Sequence, residues 1–313
     1  MKIEIKRYQI KNKKEWDELI PRTFNGTFLH KRDYMDYHRD RFEDFSLLIY
    51  YKNKLAGLLP AHKKETELIS HNGLTYGDLL LESSLKSEAI IGILHHLLQF
   101  IADNGFINFR IKTVPVFFHS LPNEILNYYY YKFGAVPEKI HAYFLLDKYS
   151  FRLNQNRKRS IKKMPIDELS ISIEIEYLPD FWEILSVNLE NKYRTSPVHT
   201  LEEMSHLAKL FPENIRLYTL WKNEEILSGV LVYLVNHTLH FQYISAGRDK
   251  KNRNGIDYLT KKIIEDNVDK YDYISLGSAE NPDGSPHQSL IYWKESFGAK
   301  IRNQLYFRFK FEE

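Results

Sequence analysis

The chain has 313 residues, no cysteine, and 44 Lys and Arg against 41 Asp and Glu, a formal net charge of +3. Without cysteine, it has no disulfide, no thiol nucleophile and no thiolate-bound zinc. So weak a net charge gives no electrostatic signature of nucleic-acid binding, and we expect no DNA partner. Hydrophobic residues make up 43% of the chain, and at about 150 residues per domain the length predicts two domains.

The N-terminal residues Met1 to Lys6 alternate polar and apolar side chains, which predicts a strand and not a signal peptide. All apolar stretches are far shorter than the roughly 18 residues that a membrane-spanning helix needs. We therefore expect no membrane span and a cytoplasmic location.

The hydrophobic spacing and the turn residues predict the same series of elements in each half of the chain. In the first half, the predicted segments are Ile3–Tyr8, Lys13–Leu19, Lys31–Arg41, Phe45–His62, Ile90–Ile101, Phe106–Lys112, Asn123–Lys132 and Ala142–Leu146. In the second half, they are Ile171–Tyr177, Phe181–Asn188, Leu201–Leu210, Arg216–Ser245, Ile256–Val268, Tyr271–Leu276, Gln288–Ser296 and Leu305–Phe311. Both series read strand, two helices, long hairpins, helix, strand, helix and closing strand.

Three short patterns also occur twice, 164 to 170 residues apart. They are Ile3-Glu4-Ile5 with Ile173-Glu174-Ile175, the turn Lys52-Asn53 before Gly57 with Lys222-Asn223 before Gly229, and Phe133-Gly134-Ala135 with Phe297-Gly298-Ala299. Three matches in one order predict an internal duplication, with domains at 1–150 and 151–313. Because hairpins are antiparallel and strand-helix-strand crossovers parallel, each domain is expected to have a mixed, mostly antiparallel sheet flanked by helices, in the α/β (α+β) class.

The order of elements resembles the GNAT acyltransferase fold, and the tandem arrangement resembles the Fem-type aminoacyl transferases and related acyltransferases of cell-envelope polysaccharide pathways. The resemblance covers nearly the whole chain and depends on Lys192-Tyr193-Arg194, Pro197–Glu203, Gly255–Leu259 and Tyr292–Ala299. It implies an enzyme that forms an amide on an amino sugar or related envelope precursor, with an acyl-CoA as donor. The acceptor would be a small-molecule or lipid-linked sugar. The alternatives are a Fem-like transferase that uses aminoacyl-tRNA and a non-catalytic binding protein on the same scaffold.

In a GNAT domain, the donor phosphates lie at the start of the helix after the long hairpin. There, unpaired backbone N–H groups and the positive end of the helix dipole favour an anion. The second half has Gly247–Gly255 at this point, with four basic residues, whereas the first half has Glu82–Lys86, with an acid and no glycine. The donor is therefore expected in the C-terminal domain, and the N-terminal site is expected to be degenerate. The predicted donor-binding residues are Tyr243, Ser245, Lys250, Lys251, Arg253, Asn254 and Gly255.

This loop departs from the family pattern. The family has Gln or Arg-x-x-Gly-x-Gly or Ala, and this chain has Asn252-x-x-Gly255-x-Asp257. A carboxylate in the first helical turns would repel phosphate if it faced the ligand. The alternative interpretation is a solvated basic loop that caps the helix.

Amide formation requires an amine to lose a proton, a carbonyl oxygen to be stabilised and a leaving group to be protonated. The resemblance implies that backbone N–H groups of the splayed strand ending at Tyr243-Ile244-Ser245 stabilise the oxygen, and that Lys294 faces the donor phosphate or the reacting carbonyl. Glu280 is a candidate base and Tyr292 a candidate proton donor. Each residue also has a structural interpretation. Lys294 would be a surface lysine, Glu280 an acidic residue of a turn, and Tyr292 a tyrosine that packs against its neighbours.

Tyr193, Arg194 and His199 precede a helix and are predicted to bind the acceptor, since Arg suits a carboxylate or a phosphate. A helix-entry role is the alternative for His199. No spacing of His and Asp suggests a metal site. The basic block of Arg157-Lys158-Arg159 and Lys162-Lys163 is either the solvated face of a linker helix or a contact for the phosphates of tRNA or of the acceptor.

Overall fold

The computed structural model describes residues 2–247 and 249–311, and the side chains of residues 192, 193, 250, 251 and 253 lie outside the described part. The chain forms two compact units, one of residues 1–141 with 303–313 and one of residues 142–302. Both units are mixed sheets flanked by helices, which confirms the predicted fold class. The assignment of separate roles to ranges 1–150 and 151–313 stays a prediction.

The first unit has two sheets, with strand orders β1-β3-β4-β7 and β15-β8-β6-β5-β2. Strand β15 (Lys300–Lys310) belongs to this unit from residue 303 onward. Helix α3 packs its apolar face against the strands, as the spacing of its leucines and isoleucines predicts. The elements of the first unit are β1 (Ile3–Arg7), α1 (Lys13–Leu19), α2 (Arg32–Met35), β2 (Glu43–Asp44), β3 (Leu47–Tyr51), β4 (Lys54–Leu59), β5 (His62–Lys64), β6 (Glu67–Ile69), β7 (Leu80–Leu81), α3 (Ser87–Asp103), β8 (Asn108–Lys112), α4 (Ile125–Lys132) and β9 (Val136–Leu146).

The second unit has one sheet in the order β10-β11-β12-β13-β14-β9, to which β9 contributes its last residues. Helix α8 packs on strands β11 to β13 over the main core of this unit. The elements of the second unit are α5 (Gln155–Lys162), β10 (Leu169–Ser172), α6 (Leu178–Tyr193), α7 (Leu201–Leu210), β11 (Ile215–Lys222), β12 (Glu225–Val235), β13 (Thr238–Ala246), α8 (Lys250–Asn267), β14 (Tyr273–Ser278), α9 (Gln288–Glu295) and the start of β15 (Lys300–Lys310).

The repeated hairpin turns each have an asparagine with positive φ, but at different positions, since the paired residues are Tyr51 and Lys54 in the first unit and Lys222 and Glu225 in the second. Asn53 and Asn223 have φ of +65° and +55°, in the left-handed region that Asn tolerates better than most residues. Gly134 and Gly298 end α4 and α9 with φ of +89° and +94°, as the Phe-Gly-Ala pattern predicts. The two Phe-Gly-Ala corners therefore share a backbone conformation, whereas the two hairpin turns differ, since Lys52 also has a positive φ of +51°.

Two predicted segments differ from the observed structure in the type of element over part of their length. The strand expected at Ile171–Tyr177 ends at Ser172, and Ile175–Tyr177 forms a 3-10 turn that leads into α6, whose first turn contains Pro179. The helix expected at Lys31–Arg41 is α2 followed by a 3-10 segment, because His38 leaves the helical region with φ of −125°. No helix in the described part is long and apolar enough to cross a membrane.

Candidate functional site

Strands β13 and β14 of the second unit run in parallel and then separate. Their pairing is limited to three residues of each strand, Thr238–His240 of β13 and Tyr273–Ser275 of β14. Beyond these residues, β13 continues beside β12 to Ala246, whereas β14 continues beside β9 to Ser278. We call the opening between the two strands beyond His240 and Ser275 the fork.

A bulge in β13 explains why the strands separate. Val232 lies opposite Phe241 and Leu231 opposite Tyr243, so Gln242 is an extra residue in the ladder. A bulge increases the local twist and changes which face of the sheet the following side chains occupy. Phe241 therefore belongs to the core under α8, whereas Tyr243 contacts Trp182 of α6, with ring centroids 5.2 Å apart.

Lys294 enters the fork from helix α9. Its side chain is buried, with 2% of the residue exposed, and its Nζ donates a hydrogen bond to the carbonyl oxygen of Ser278. A Cβ at Gly277, which has φ of +76°, would lie 3.7 Å from this Nζ and 3.5 Å from the carbonyl oxygen of Phe241. Burial lowers the pKa of Lys294 to about 7. Lys294 is therefore an interior residue at the separation of the two strands and not a surface lysine.

Other polar side chains line the same opening. His240 Nδ1 lies 3.0 Å from Ser275 Oγ, and burial with the nearby charge of Lys294 lowers the pKa of His240 to about 3. The ring of Tyr143 lies 6.0 Å from that of His240. Burial and the nearby carboxylate of Glu280 raise the pKa of Tyr143. Glu280 Oε1 also accepts a hydrogen bond of 3.4 Å from the backbone N–H of Ala142. The structure thus places Lys294 at the fork and Glu280 just beyond the end of β14, beside Ala142 and Tyr143 of β9.

The third predicted catalytic residue, Tyr292, lies elsewhere. Its hydroxyl accepts a hydrogen bond of 2.6 Å from Asn156, and 46% of the residue is exposed. It precedes Lys294 by two positions, and residues two apart on a helix point in different directions. The structure does not bring Tyr292 to the fork, so its role as a proton donor stays a prediction.

Predicted donor and acceptor residues meet on the α6 side of β13. The Tyr243 hydroxyl lies 2.7 Å from His199 Nδ1, and burial raises the pKa of Tyr243 to about 12. Ser245 Oγ accepts a hydrogen bond of 2.8 Å from Asn188. Arg194 is exposed and ends α6 with φ of +51°. The side chain of Tyr193 lies outside the described residues.

Helix α8 begins at Lys250, with Asp249 as N-cap. The prediction of a basic loop up to Gly255, before a helix that begins at Ile256, is therefore wrong, because Asn254 and Gly255 lie in the second turn of the helix. The side chains of Lys250, Lys251 and Arg253 lie outside the described residues. Asn254 Oδ1 lies 2.9 Å from Ser160 Oγ of α5, whose single hydroxyl proton has the carboxylate of Asp257 as its nearer acceptor. A Cβ at Gly255 would lie 3.2 Å from Leu220 and 3.5 Å from Leu227, so this glycine lets α8 pack closely on the sheet.

Asp257 does not present a free charge at this helix. Its carboxylate is buried and accepts hydrogen bonds from Arg157, from Ser160 at 2.7 Å and from the indole N–H of Trp293 at 2.8 Å. The guanidinium of Arg157 compensates the charge, and α5 is thereby fixed to α8. The repulsion of a phosphate by Asp257 that the sequence suggests is accordingly reduced, since a paired carboxylate is largely neutralised.

The corresponding place in the first unit is filled by its own chain. Strands β6 and β8 also pair in parallel, up to Ile69 opposite Arg110. Ten residues, Ser70–Leu79, then stand between β6 and β7, where the second unit has the single bulge residue Gln242. The N–H of Lys112 donates to Ser70 Oγ at 2.8 Å, so the loop takes up backbone groups that follow the parallel pair.

Tyr130 and Lys294 occupy matching positions, three residues before the Phe of each corner. The Tyr130 hydroxyl donates a hydrogen bond of 2.6 Å to Asp78 of this loop. Asp78 also accepts one of 3.0 Å from the N–H of Val114, and burial raises its pKa to about 6. The same helical position therefore fixes a loop in the first unit and places an amine in the fork of the second.

Sequence reasoning missed His240, Ser275 and Tyr143. Each lies inside a strand, and in the sequence a functional residue of this kind can be recognised only as an isolated polar residue in an apolar run. Such a signal does not show which strands are neighbours. Within the described residues, no group of three or more His, Asp or Glu is placed to hold a metal ion.

No protein-family model matches the chain, and no curated protein matches its sequence. Solved structures do. FemX is 10% identical, covering 98% of this chain and 97% of that chain, with a TM-score of 0.67. L-PGS from Bacillus licheniformis is 12% identical, covering 97% and 92%, with a TM-score of 0.62. A tandem GNAT protein from the clavulanic acid biosynthesis pathway is 11% identical, covering 99% and 98%, with a TM-score of 0.54. The chain thus has the tandem GNAT fold that these proteins share, as the order of its sequence elements predicts.

Proposed function

We propose that the protein is an N-acyltransferase that acts at the fork of its second unit. The observation that supports this most strongly is the buried amine of Lys294 at the point where β13 and β14 separate. An acyl group whose carbonyl enters the fork would meet backbone groups of β13 on one side and this amine on the other. The fold is compatible with other activities, and it is the placement of Lys294 that favours group transfer.

Acyl transfer to an amine forms a C–N bond and breaks the bond from the acyl carbon to its leaving group. The amine gives up a proton and the leaving group takes one up. A group with a pKa near the working pH is suited to donate such a proton, and the pKa of Lys294 is about 7. In our proposal, protonated Lys294 stabilises the developing charge and protonates the leaving group, and Glu280 accepts the proton from the amine.

The donor is proposed to be an acyl-CoA, bound as a substrate with its phosphates at the start of α8. First-turn N–H groups of a helix point out of its end and bind anions. The ion pair of Arg157 and Asp257 favours this proposal, because it holds the carboxylate of Asp257 against α5. The phosphates of the donor would then meet backbone N–H groups.

The acceptor is proposed to be an amine of an amino sugar or a related envelope precursor, in small-molecule or lipid-linked form, in the cytoplasm. Tyr243 and His199 lie on the α6 side of the fork strand and are the polar groups proposed to contact it. Arg194 is exposed at the end of α6 and is available for an acidic group of the acceptor.

A second candidate function is an aminoacyl transferase that takes its donor from tRNA. One observation favours it: Lys158, Arg159, Lys162 and Lys163 are all exposed on and just after α5. Cations arranged on one short segment bind phosphodiester backbones in a salt-dependent way. This hypothesis uses the same fork and the same lysine, and it differs from the first in the carrier of the acyl group.

Turnover of acetyl-CoA with a panel of amino-sugar nucleotides tests the proposal, with aminoacyl-tRNA as the second donor. We expect Lys294→Met to lower kcat by about 100-fold or more, the usual range for losing a proton donor, without lowering the melting temperature. Lys300→Met is the matched control, since Lys300 is exposed in the same unit, and it should match the wild type. Wild-type turnover in Lys294→Met, or no turnover and no binding with either donor, would overturn the proposal.

A further inference from the structure

Strand β1 lies at the edge of its sheet, and its outer side is open. It pairs with β3 on one side, and no strand among residues 2–247 and 249–311 pairs with the other. The N–H of Lys52 donates to the carbonyl oxygen of Lys2 at 2.9 Å. The N–H of Tyr8 donates to the carbonyl oxygen of Ser46 at 2.8 Å. Because successive residues of an antiparallel strand bond to opposite sides, the even-numbered residues of β1 bond to β3. The residues whose N–H and C=O groups point outward are Ile3, Ile5 and Arg7.

An apolar groove runs along this open edge. It lies between β1 and helix α3 and has a volume of about 350 Å³. The side chains of Ile3, Ile5 and Phe100 line it and pack against the core of the first unit. Its polar residues are His95, His96, Gln99 and Asp103. A strand added to β1 would place its own inward side chains over this groove, since neighbours in paired strands occupy the same face of the sheet.

The other face of β1 has one anion and one cation. Glu4 and Lys6 form an ion pair of 3.2 Å, and about half of each side chain is exposed. Alternate residues of a strand point to opposite faces, so these two side chains project away from the groove. The strand is therefore apolar toward α3 and charged on its other face, with opposite charges on either side of Ile5.

This order of residues makes β1 complementary to a second copy of itself. In an antiparallel pair centred on Ile5, Glu4 of each copy lies opposite Lys6 of the other. The outward groups of Ile3, Ile5 and Arg7 then all find partners, since Ile5 bonds to Ile5 and Ile3 to Arg7. Between these bonded pairs the side chains approach most closely, so the two contacts of Glu4 with Lys6 are short. Centring the pair on Glu4 or on Lys6 instead would place like charges opposite each other.

We propose that the protein forms a homodimer in which β1 of one copy pairs with β1 of the other, antiparallel and centred on Ile5. The two four-stranded sheets then form one continuous sheet, and Ile3 and Ile5 of each copy extend the apolar surface of the groove of the other. Such an interface uses the same surface on both copies, so it closes at two. The second Ile-Glu-Ile pattern, at residues 173–175, lies beyond the end of β10, so this edge belongs to the first unit.

The dimer does not depend on the proposed acyl transfer. It is defined by β1 and α3 of the first unit, whereas Lys294 and the fork belong to the second. Its test is the mass of the protein in solution, and the test of the proposed function is turnover. The failure of either proposal is therefore distinguishable from the failure of the other.

Sedimentation velocity of the full chain at low salt tests the dimer, over about 1 to 100 μM, the range in which small interfaces associate. We expect the wild type to form a species of twice the mass of one chain. Glu4→Lys places two lysines opposite each other in both symmetric contacts, and Lys6→Glu places two glutamates there. The dissociation constant should rise about tenfold or more in each variant, since like charges directly opposite are unfavourable. Neither change should unfold the chain, because both side chains are about half exposed.

A mixture of the two variants distinguishes contacts between copies from effects within one chain. In a mixed pair, the Glu4→Lys chain presents two cations and the Lys6→Glu chain presents two anions. Every contact between the copies is then attractive. We therefore expect two variants that are each monomeric to form a dimer when they are mixed in equal amounts.

Charge reversals on helix α1 are the matched controls. Lys14 and Glu18 form an exposed ion pair of 3.8 Å in the same unit, away from β1 and its groove. Lys14→Glu and Glu18→Lys should both dimerise as the wild type does. A wild type that is monomeric over the whole range would leave the edge to a strand of another protein and would overturn the dimer. Dimerisation that is unchanged in both β1 variants, or no association when they are mixed, would also overturn it.

Discussion

Replacing Lys294 by Met should change how stability depends on pH. The pKa of Lys294 is 10.5 in an unfolded chain and about 7 in the folded protein, because the amine is buried. Between these values the unfolded chain binds more protons, so the free energy of unfolding rises with pH across this window. At about 1.4 kcal/mol per pH unit, and with the folded amine half-protonated at pH 7, Lys294 contributes a rise of about 2 kcal/mol from pH 7 to pH 9.

Urea unfolding of the wild type and of Lys294→Met at pH 7, 8 and 9 measures this contribution. The difference between the two proteins isolates Lys294 from the other titrating groups, and it should change by about 2 kcal/mol over the range. Lys300→Met should leave the pH dependence unchanged, since Lys300 is exposed. A difference between wild type and Lys294→Met that is constant with pH would mean that the amine is not held in an apolar environment, and the reasoning about the fork would fail.

The two corner glycines and the pair of Arg157 with Asp257 give further predictions. Gly134→Ala should lower the free energy of unfolding by about 1 kcal/mol because φ is positive, although the new Cβ has open space around it. Gly298→Ala should lower it by more in the same urea assay, since its Cβ would lie 2.1 Å from the carbonyl oxygen of Ser150. Equal costs would contradict the packing at this corner. Arg157→Met should destabilise the protein by about 3 kcal/mol, because it leaves the buried carboxylate of Asp257 without its cation. A melting temperature equal to that of the wild type would contradict the assigned pairing.

Local rules explain which parts of the fold the sequence predicts. The turns at Asn53 and Asn223 and the corners at Gly134 and Gly298 require left-handed backbone, and their residue types favour it. The apolar face of α3 follows from spacing alone. Such features depend on a few neighbouring residues, so a single sequence is enough to find them.

The remaining features depend on contacts between distant parts of the chain. Asp257 is paired with Arg157, 100 positions earlier, and the sequence alone suggests a carboxylate that faces the ligand. His240 meets Ser275 only because two strands pair in parallel. The position of Lys294 follows from the repeat, but its burial depends on Phe144 and Ser278, which no local pattern connects to it.

An acyl donor held at the fork and at the start of α8 would protect the backbone of these segments from hydrogen exchange. Hydrogen exchange of the wild-type protein, with and without acetyl-CoA or aminoacyl-tRNA, tests this claim most directly. We expect one of these donors to slow exchange in residues 241–246 of β13 and in the first turns of α8, and to leave exchange in residues 82–90 of the first unit unchanged. Slower exchange at residues 82–90, or unchanged exchange throughout with both donors, would contradict it.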